Sequence, residues 1–259
     1  MARWLLDCRP LCGHPWRLGV ATDDAEREQA YRLRHRIFFD EIGYRAGAVG
    51  DGRDRDEFDD WCDHLILIDT SSGELVGTYR AIPGAEALRR GGLYGSFEFD
   101  LTPLDPIAPH ILQGGRTCVA AAHRTGLAIQ YLTYGMELLL RERGARYFLG
   151  SESFRADDPQ RLNVIHSYLR EFGAEPDWFA PARPSAAIPG LSLVPVTAAD
   201  ERALPGIIRT DLRMGFRACS APAWDADFGC CDVLMLGRRD RLSKMYAAFL
   251  DRIERNLPR

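Results

Sequence analysis

The sequence predicts an α+β protein (mixed α/β), a twisted mixed β-sheet with helices packed on both faces. Three observations predict it. Two strand-like runs, His64 to Asp69 and Glu74 to Ile82, flank Thr70-Ser71-Ser72-Gly73, which is a hairpin signal. Further on, apolar runs of strand length alternate with stretches of helical periodicity. Gly43, Gly144 and Gly173 each close one of those helical stretches.

The elements follow in order. Trp16 to Ala21 reads as a first strand. Asp23 and Glu26 have capping-box spacing and open a helix with Ala30, Leu33 and Ile37 on one face. Arg34 and Phe38 stack one residue around from that stripe. Gly47 to Asp60 is rich in Gly, Asp and Arg and reads as a mobile loop before the hairpin. A loop with a short helix covers Gly84 to Pro109, and a strand is expected from Gly115 to Ala121. Gly126 to Glu142 is a helix with Ile129, Leu132, Met136 and Leu139 inward, and Tyr147 to Ser151 is a buried strand. A helix from Pro159 to Phe172 and a Pro- and Ala-rich linker from Pro181 to Leu191 come next. The tail offers a strand at Leu191 to Val196, a helix at Leu204 to Phe216, a strand at Cys230 to Leu236 and a last helix at Leu242 to Leu257.

Composition narrows the function. Hydrophobic residues at 46% and charged residues at 27% describe a globular chain, and a net charge of -4 gives no basic signature for nucleic acid. The seven cysteines form no regular framework, so reduced thiols in the cytoplasm are expected. Cys8, Cys12 and His14 look like half of a metal site, but no second half follows, and no metal is expected. Asp7, Arg9 and Pro10 interrupt the first apolar run, so no signal peptide is read there, and no run is long enough to span a bilayer.

Leu33-Arg34-His-Arg-Ile-Phe38 through Gly43-Tyr44, Asp56-Glu-Phe-Asp59, Leu75-Val-Gly-Thr-Tyr-Arg80 and Gly92-Leu-Tyr-Gly-Ser-Phe-Glu-Phe-Asp100 begin a series of motifs. Gly115-Arg-Thr-Cys-Val119, Phe148-Leu-Gly-Ser-Glu-Ser-Phe154, Pro222-Ala-Trp-Asp-Ala-Asp-Phe228 and Asp232 continue it. In this order they resemble the bacterial ornithine acyl-carrier-protein N-acyltransferases and, more distantly, the acyl-homoserine-lactone synthases, both of the GNAT superfold. The resemblance spans about residues 16 to 250. It implies a sheet whose two central parallel strands splay apart, with 1–180 as acyltransferase core and 181–259 completing the sheet and the acceptor site.

The resemblance also implies roles. Arg34, Phe38, Tyr44, Asp56, Asp59 and Arg80, with Asp227 and Asp232 from the tail, are expected to bind the acceptor. Physically, arginine forks a carboxylate and paired aspartates hold an ammonium; taken one by one, the same charges read as surface salt bridges. Cys118, Val119, His123, Arg124, Thr125, Gly126 and Ala128 are expected to hold the donor, whose phosphate would meet the amides opening a helix. Cys118 itself reads as a buried strand cysteine. Glu152, Gln113, Arg116 and Tyr168 are the catalytic candidates. Gln113 stands where the relatives carry Glu, and glutamine takes no proton, so that role is vacant or has moved: Glu152 at the neighbouring strand end is the candidate base, with a solvated strand-end carboxylate as the equal alternative, and Gln113→Glu is expected to be tolerated or activating.

The implied reaction carries a fatty or 3-hydroxyfatty acyl group from acyl carrier protein, or acyl-CoA, to ornithine, a related amino acid, or an ornithine or lysine side chain in a peptide. No permanently bound cofactor is implied; the donor brings its acyl-phosphopantetheine. Exposed arginines such as Arg124, Arg141 and Arg143 would meet an acidic carrier, and the lipid product would bring peripheral membrane contact. A catalytically inactive GNAT-fold module binding acyl carrier or lipid is the alternative, with Gln113 as its support.

Overall fold

The hairpin forms, and it belongs to the first of two compact units. The computed structural model describes residues 2–6, 13–44, 50–155 and 157–257. Cys8, Cys12 and part of the 47–60 loop lie outside the described residues. The strands are β1 (Arg3–Trp4), β2 (Trp16–Val20), β3 (Asp63–Asp69), β4 (Leu75–Pro83), β5 (Ile111–Val119), β6 (Tyr147–Phe154), β7 (Arg217–Ala218), β8 (Ala223–Asp225) and β9 (Cys230–Arg238). The α-helices are α1 (Asp24–His35), α2 (Gly84–Arg89), α3 (Leu127–Glu142), α4 (Pro159–Phe172), α5 (Gly206–Met214) and α6 (Lys244–Asn256).

The first unit comprises Met1–Ile82, Gly114–Ala145 and Ala247–Arg259. Its strands run in the order β1-β2-β3-β4-β5, and β1 through β4 pair antiparallel. Helix α1 opens on the Asp23/Glu26 capping box and continues past His35 as a π-turn over Arg36–Glu41. Its stripe Ala30, Leu33, Ile37 is buried with Ile66, Leu75 and Cys118, so an apolar period fixes which face meets the sheet. On α3, a Cβ at Gly135 would stand 3.0 Å from Leu18 and 3.1 Å from Leu65, so the close approach of this helix to β2 and β3 needs glycine. Leu132, Met136 and Leu139 are inward as expected, whereas Ile129 is 38% exposed.

The second unit comprises Pro83–Gln113 and Arg146–Tyr246. Strands β6 and β9 pair antiparallel from Tyr147↔Arg238 to Phe154↔Cys231, and β7 and β8 both add to β9. At the start of β5 and β6 the Arg146 N–H donates to the His110 carbonyl (2.9 Å), at the one parallel pair in a mixed, mostly antiparallel arrangement. Strand β9, which lies after residue 181, pairs along the length of β6.

Two readings are corrected. Leu191 to Val196 forms no strand: Pro195 removes a donor, and the Ser192 and Val194 amides bond side chains of α4, Asn163 Oδ1 (2.9 Å) and Ser167 Oγ (2.8 Å). The expected mobile loop is, from residue 50 to 60, tied down: the Asp54 amide donates to Tyr31 O, and Asp56 caps a 3₁₀ turn over Glu57–Asp60. Among the described residues no helix is long and apolar enough to cross a membrane.

Candidate functional site

In the first unit, Arg34 on α1 is fully buried, so its guanidinium must find charge partners within the fold. Its Nε donates to Asp54 Oδ2 (2.8 Å), and Nη1 and Nη2 fork onto Asp59 Oδ1 and Oδ2 (2.8 and 2.9 Å). From β4, Arg80 Nη1 donates to Asp56 Oδ1 (2.6 Å) and Asp59 Oδ1 (3.2 Å). From β5, Arg116 Nε lies 3.1 Å from Asp54 Oδ2 and Nη2 lies 3.6 Å from Asp56 Oδ2. Arg116 has φ of 53°, a strained value for a residue with a Cβ.

Burial opposes ionisation of Asp59, yet Arg34 and Arg80 outweigh it and hold the carboxyl well below the usual range. Burial also lowers the His64 pKa, and His64 Nε2 sits 3.1 Å from the Asp59 carbonyl oxygen. The expected Arg34, Asp56, Asp59, Arg80 and Arg116 are therefore brought together, but Asp54 was missed. In the run Arg53-Asp54-Arg55-Asp56 both acids have an equal claim by pattern. Three guanidiniums face three carboxylates, and the cluster fastens the 54–60 loop to α1, β4 and β5.

A cleft of about 400 Å³ lies in the same unit. Ile37, Phe38 and Ile42 form one wall, and Thr117, Cys118 and Val119 at the end of β5 form another. His123, Arg124, Gly126 and Ile129 close it at the start of α3, which explains the exposure of Ile129. Gly126 takes φ of 83° as the residue capping α3, leaving the first helical amides without a side-chain cap. Arg124 reaches across to Glu41 Oε2 (2.5 Å) and donates through Nε to Val119 O (2.9 Å). His123 packs edge-on to Trp16 (5.7 Å), and Tyr44 lies 6.2 Å from the Phe38 ring. Thr125 is exposed and Ala128 is buried. Burial pushes the Cys118 thiol up to about 12, so it is a neutral wall and not a nucleophile. Arg141 pairs with Glu137 and Glu254, and Arg143 with Asp63, so the arginines expected to meet a carrier each face an acid of the chain itself.

The second unit carries carboxyls of another kind. Gln113, 1% exposed, donates through Nε2 to Tyr94 O (2.7 Å) and accepts at Oε1 from Tyr94 N (2.9 Å). Its amide thus holds the loop that bears Tyr94. Glu152 on β6 hydrogen-bonds Asp211 on α5; burial first, then the charges of Asp211 and Asp232, raise its pKa well above the usual value. Burial raises Asp211 to about 7. Glu98 is also pushed up to about 7, by burial and by Asp225 and Asp232.

Asp232 accepts from Ser151 Oγ (2.7 Å), and buried Asp225 accepts at Oδ1 from the Asp227 and Phe228 amides (2.8 and 2.9 Å). Asp227 is exposed in that turn, so Asp225 is the inward residue of the pair. Tyr168 is buried against Phe172 (5.0 Å), with burial and Glu201 raising its phenol, which suits packing more than acid catalysis. Glu98 and Asp211 were missed. Asp211 was legible as an acid three residues beyond Ile208, the buried residue of α5.

Among the described residues, two groups have donors close enough for one ion, Asp59/Cys62/His64 and Asp225/Cys230/Asp232. Asp59 is saturated by arginines, whose charge repels a metal. Asp225 and Asp232 already accept hydrogen bonds, and neither group is read as a metal centre.

The acetyltransferase (GNAT) domain family matches residues 33–134. An L-ornithine N(alpha)-acyltransferase of Rhodobacter capsulatus is 29% identical over 249 residues, 92% of this chain and 95% of that protein. One of Agrobacterium fabrum is 30% identical over 233 residues, 84% of this chain and 78% of that protein. Among solved structures, TofI in a ternary complex with an inhibitor and MTA superposes with a TM-score of 0.50 at 14% identity, covering 91% of this chain and 96% of that one. That likeness shows the fold. With the sequence match over most of both chains, this chain belongs to the L-ornithine N(alpha)-acyltransferase family, acyltransferases of GNAT fold.

Proposed function

We propose that the protein moves a fatty or 3-hydroxyfatty acyl group from an acyl-carrier-protein thioester to an amine of ornithine or a close relative, free or in a peptide, in the cytoplasm. The observation that carries this reading is the group Glu98, Asp225 and Asp232, where burial and mutual repulsion raise Glu98 and Asp225. The donors that Asp225 and Asp232 meet among the described residues are hydroxyl, thiol and amide groups, an environment that a bound ammonium would complement. A diamine such as ornithine supplies it.

The donor reading rests on the cleft at α3. Its apolar walls suit an alkyl chain, each buried methylene contributing about 0.8 kcal/mol, more than they suit acetyl. The unsatisfied amides after Gly126 suit a phosphate. The amine must lose a proton as the amide forms, and Glu152 is its acceptor in this proposal.

Glu98→Gln and Asp232→Asn test the reading. Each is expected to raise KM for ornithine by roughly ten- to a hundredfold with a smaller change in kcat, as for a lost charge pair. Unchanged KM in both, followed by mass spectrometry of the product, would remove the acceptor assignment. If no amine releases thiol from a long-chain acyl carrier, the protein is a binding module instead.

A further inference from the structure

Where α1 gives way to the π-turn over Arg36–Glu41, the hydrogen bonding changes register. The Ile42 N–H donates to the Ile37 carbonyl (3.0 Å), five residues back instead of four. The wider turn brings residues five apart toward one side, and Ile37 and Ile42 both line the cleft beside Phe38. The same turn ends on Glu41, whose Oε2 accepts from Arg124 Nη2 (2.5 Å). Turns of this kind are rare within α-helices and recur at functional sites.

Arg124 comes from the opposite wall and is fastened twice. Its Nε donates to Val119 O (2.9 Å) at the end of β5, and Nη2 goes to Glu41, whereas Nη1 meets no acceptor among the described residues. Arg124 is the one arginine or lysine among the residues lining the cleft, and no carboxylate is among them. With the Arg124 side chain 45% exposed and that of Glu41 33%, the pair contributes little to stability. Its effect on a charged ligand is another matter. A guanidinium held in this way keeps an N–H edge to offer, while the carboxylate beside it cancels its charge. An anion then gains a hydrogen bond from Arg124 with little net attraction, and each further negative charge within the screening length, about 8 Å at physiological salt, is repelled by Glu41.

We propose that Glu41 is a specificity-determining residue for the acyl donor: by neutralising Arg124 across the cleft, it admits the single phosphodiester charge of a carrier-bound phosphopantetheine and disfavours the several phosphate charges of free coenzyme A. The inference rests on the donor reading above, which puts the acyl chain and its phosphate at this cleft. Glu41 touches no reacting atom. It acts through Arg124 on which donor binds, and leaves the transfer step to other residues.

The test uses S-dodecyl thioethers of coenzyme A, phosphopantetheine and pantetheine, which cannot transfer an acyl group, and titration calorimetry on the full chain. Glu41→Gln is expected to tighten the coenzyme A thioether roughly tenfold, the phosphopantetheine thioether roughly two- to threefold, and the uncharged pantetheine thioether not at all. The gain should shrink at high salt. Glu41→Ser is made in parallel in case one variant folds poorly, and Glu41→Asp, which keeps the charge, should keep most of the wild-type discrimination. Unchanged affinity for the coenzyme A thioether in folded Glu41→Gln and Glu41→Ser overturns the proposal. An equal gain for the pantetheine thioether overturns it too, since that marks a reshaped cleft and not a charge effect. The reading beneath it fails differently: if no amine releases thiol from a long-chain acyl carrier, acyl transfer is lost while these affinities still judge Glu41. If wild type binds none of the three thioethers, the donor leaves the cleft and the proposal goes with it.

Discussion

Two charged clusters, one in each unit, are built in different ways. In the first, Arg34, Arg80 and Arg116 meet Asp54, Asp56 and Asp59 one for one, and Arg34 and Asp59 are almost wholly buried. In the second, Glu98, Glu152, Asp211, Asp225 and Asp232 are held by hydroxyls, amides and one another. In the balanced cluster the arginine forks hold chain segments together. A cluster short of cations stores repulsion that a bound ammonium or proton relieves. The same residue types thus face opposite charge in one place and like charge in the other.

The sharpest way to break this comparison is to unbalance the first cluster. Asp59→Ala leaves Arg34 and Arg80 buried without their common partner, and is expected to cost roughly 3–5 kcal/mol of unfolding free energy. Urea denaturation measures it. The pKa of Asp59 is depressed in the folded protein, so its stabilisation is present above the unfolded carboxyl value of about 3.9 and is lost as pH falls through the lower folded value. The mutant should thus lose the part of the acid dependence that wild type shows below about pH 4. A change under about 1 kcal/mol, the scale of an exposed pair, would return these residues to surface salt bridges.

Gln113→Glu comes next, and here the geometry reverses the expectation of tolerance or activation. The side-chain amide both donates to Tyr94 O and accepts from Tyr94 N. A glutamate retains both bonds only if protonated. Its folded pKa would be raised, so stability relative to wild type falls as pH rises above the unfolded value of about 4.3. A loss of about 1–3 kcal/mol at pH 8, shrinking toward pH 4.5 in thermal melts, is the expected outcome. Equal melting temperatures at pH 8 would mean that the loop bearing Tyr94 rearranges without cost.

How far the residues alone led differs between the same two regions. The capping box at Asp23 and the stripe Ala30, Leu33, Ile37 were legible because helix starts and faces are encoded within a few residues. That Arg34 is interior was not, since periodicity places it at the edge of the stripe and its partners come 20 and 25 residues later. Gln113 was singled out as a departure, but its partner is backbone, which no side-chain pattern announces. Leu191 to Val196 looked like a strand because alternation says nothing about whether a neighbour is available to pair. Glu152 and Asp232 were named through motif order, whereas the interaction of Asp211 with Glu152 joins residues 59 positions apart that no local pattern connects.

The smallest expected effect has the opposite sign from the first. Glu98 is partly buried near Asp225 and Asp232, and its folded pKa of about 7 stands above the unfolded value near 4.3. Such a group destabilises the fold progressively as pH rises from the unfolded value to the folded one, and by a constant amount beyond. Solvent screens a half-buried carboxyl, so the size is discounted to about 1 kcal/mol or less. Glu98→Gln keeps the shape and removes the charge. It should therefore match wild type near pH 4.5 and melt a few degrees higher at pH 8, even as it loses affinity for ornithine. Saturating ornithine should raise the melting temperature of wild type more than that of the variant, because a ligand stabilises in proportion to its affinity. If Glu98→Gln is instead destabilised at pH 8, the second cluster already has a cationic partner, and the contrast between the two units fails at that residue.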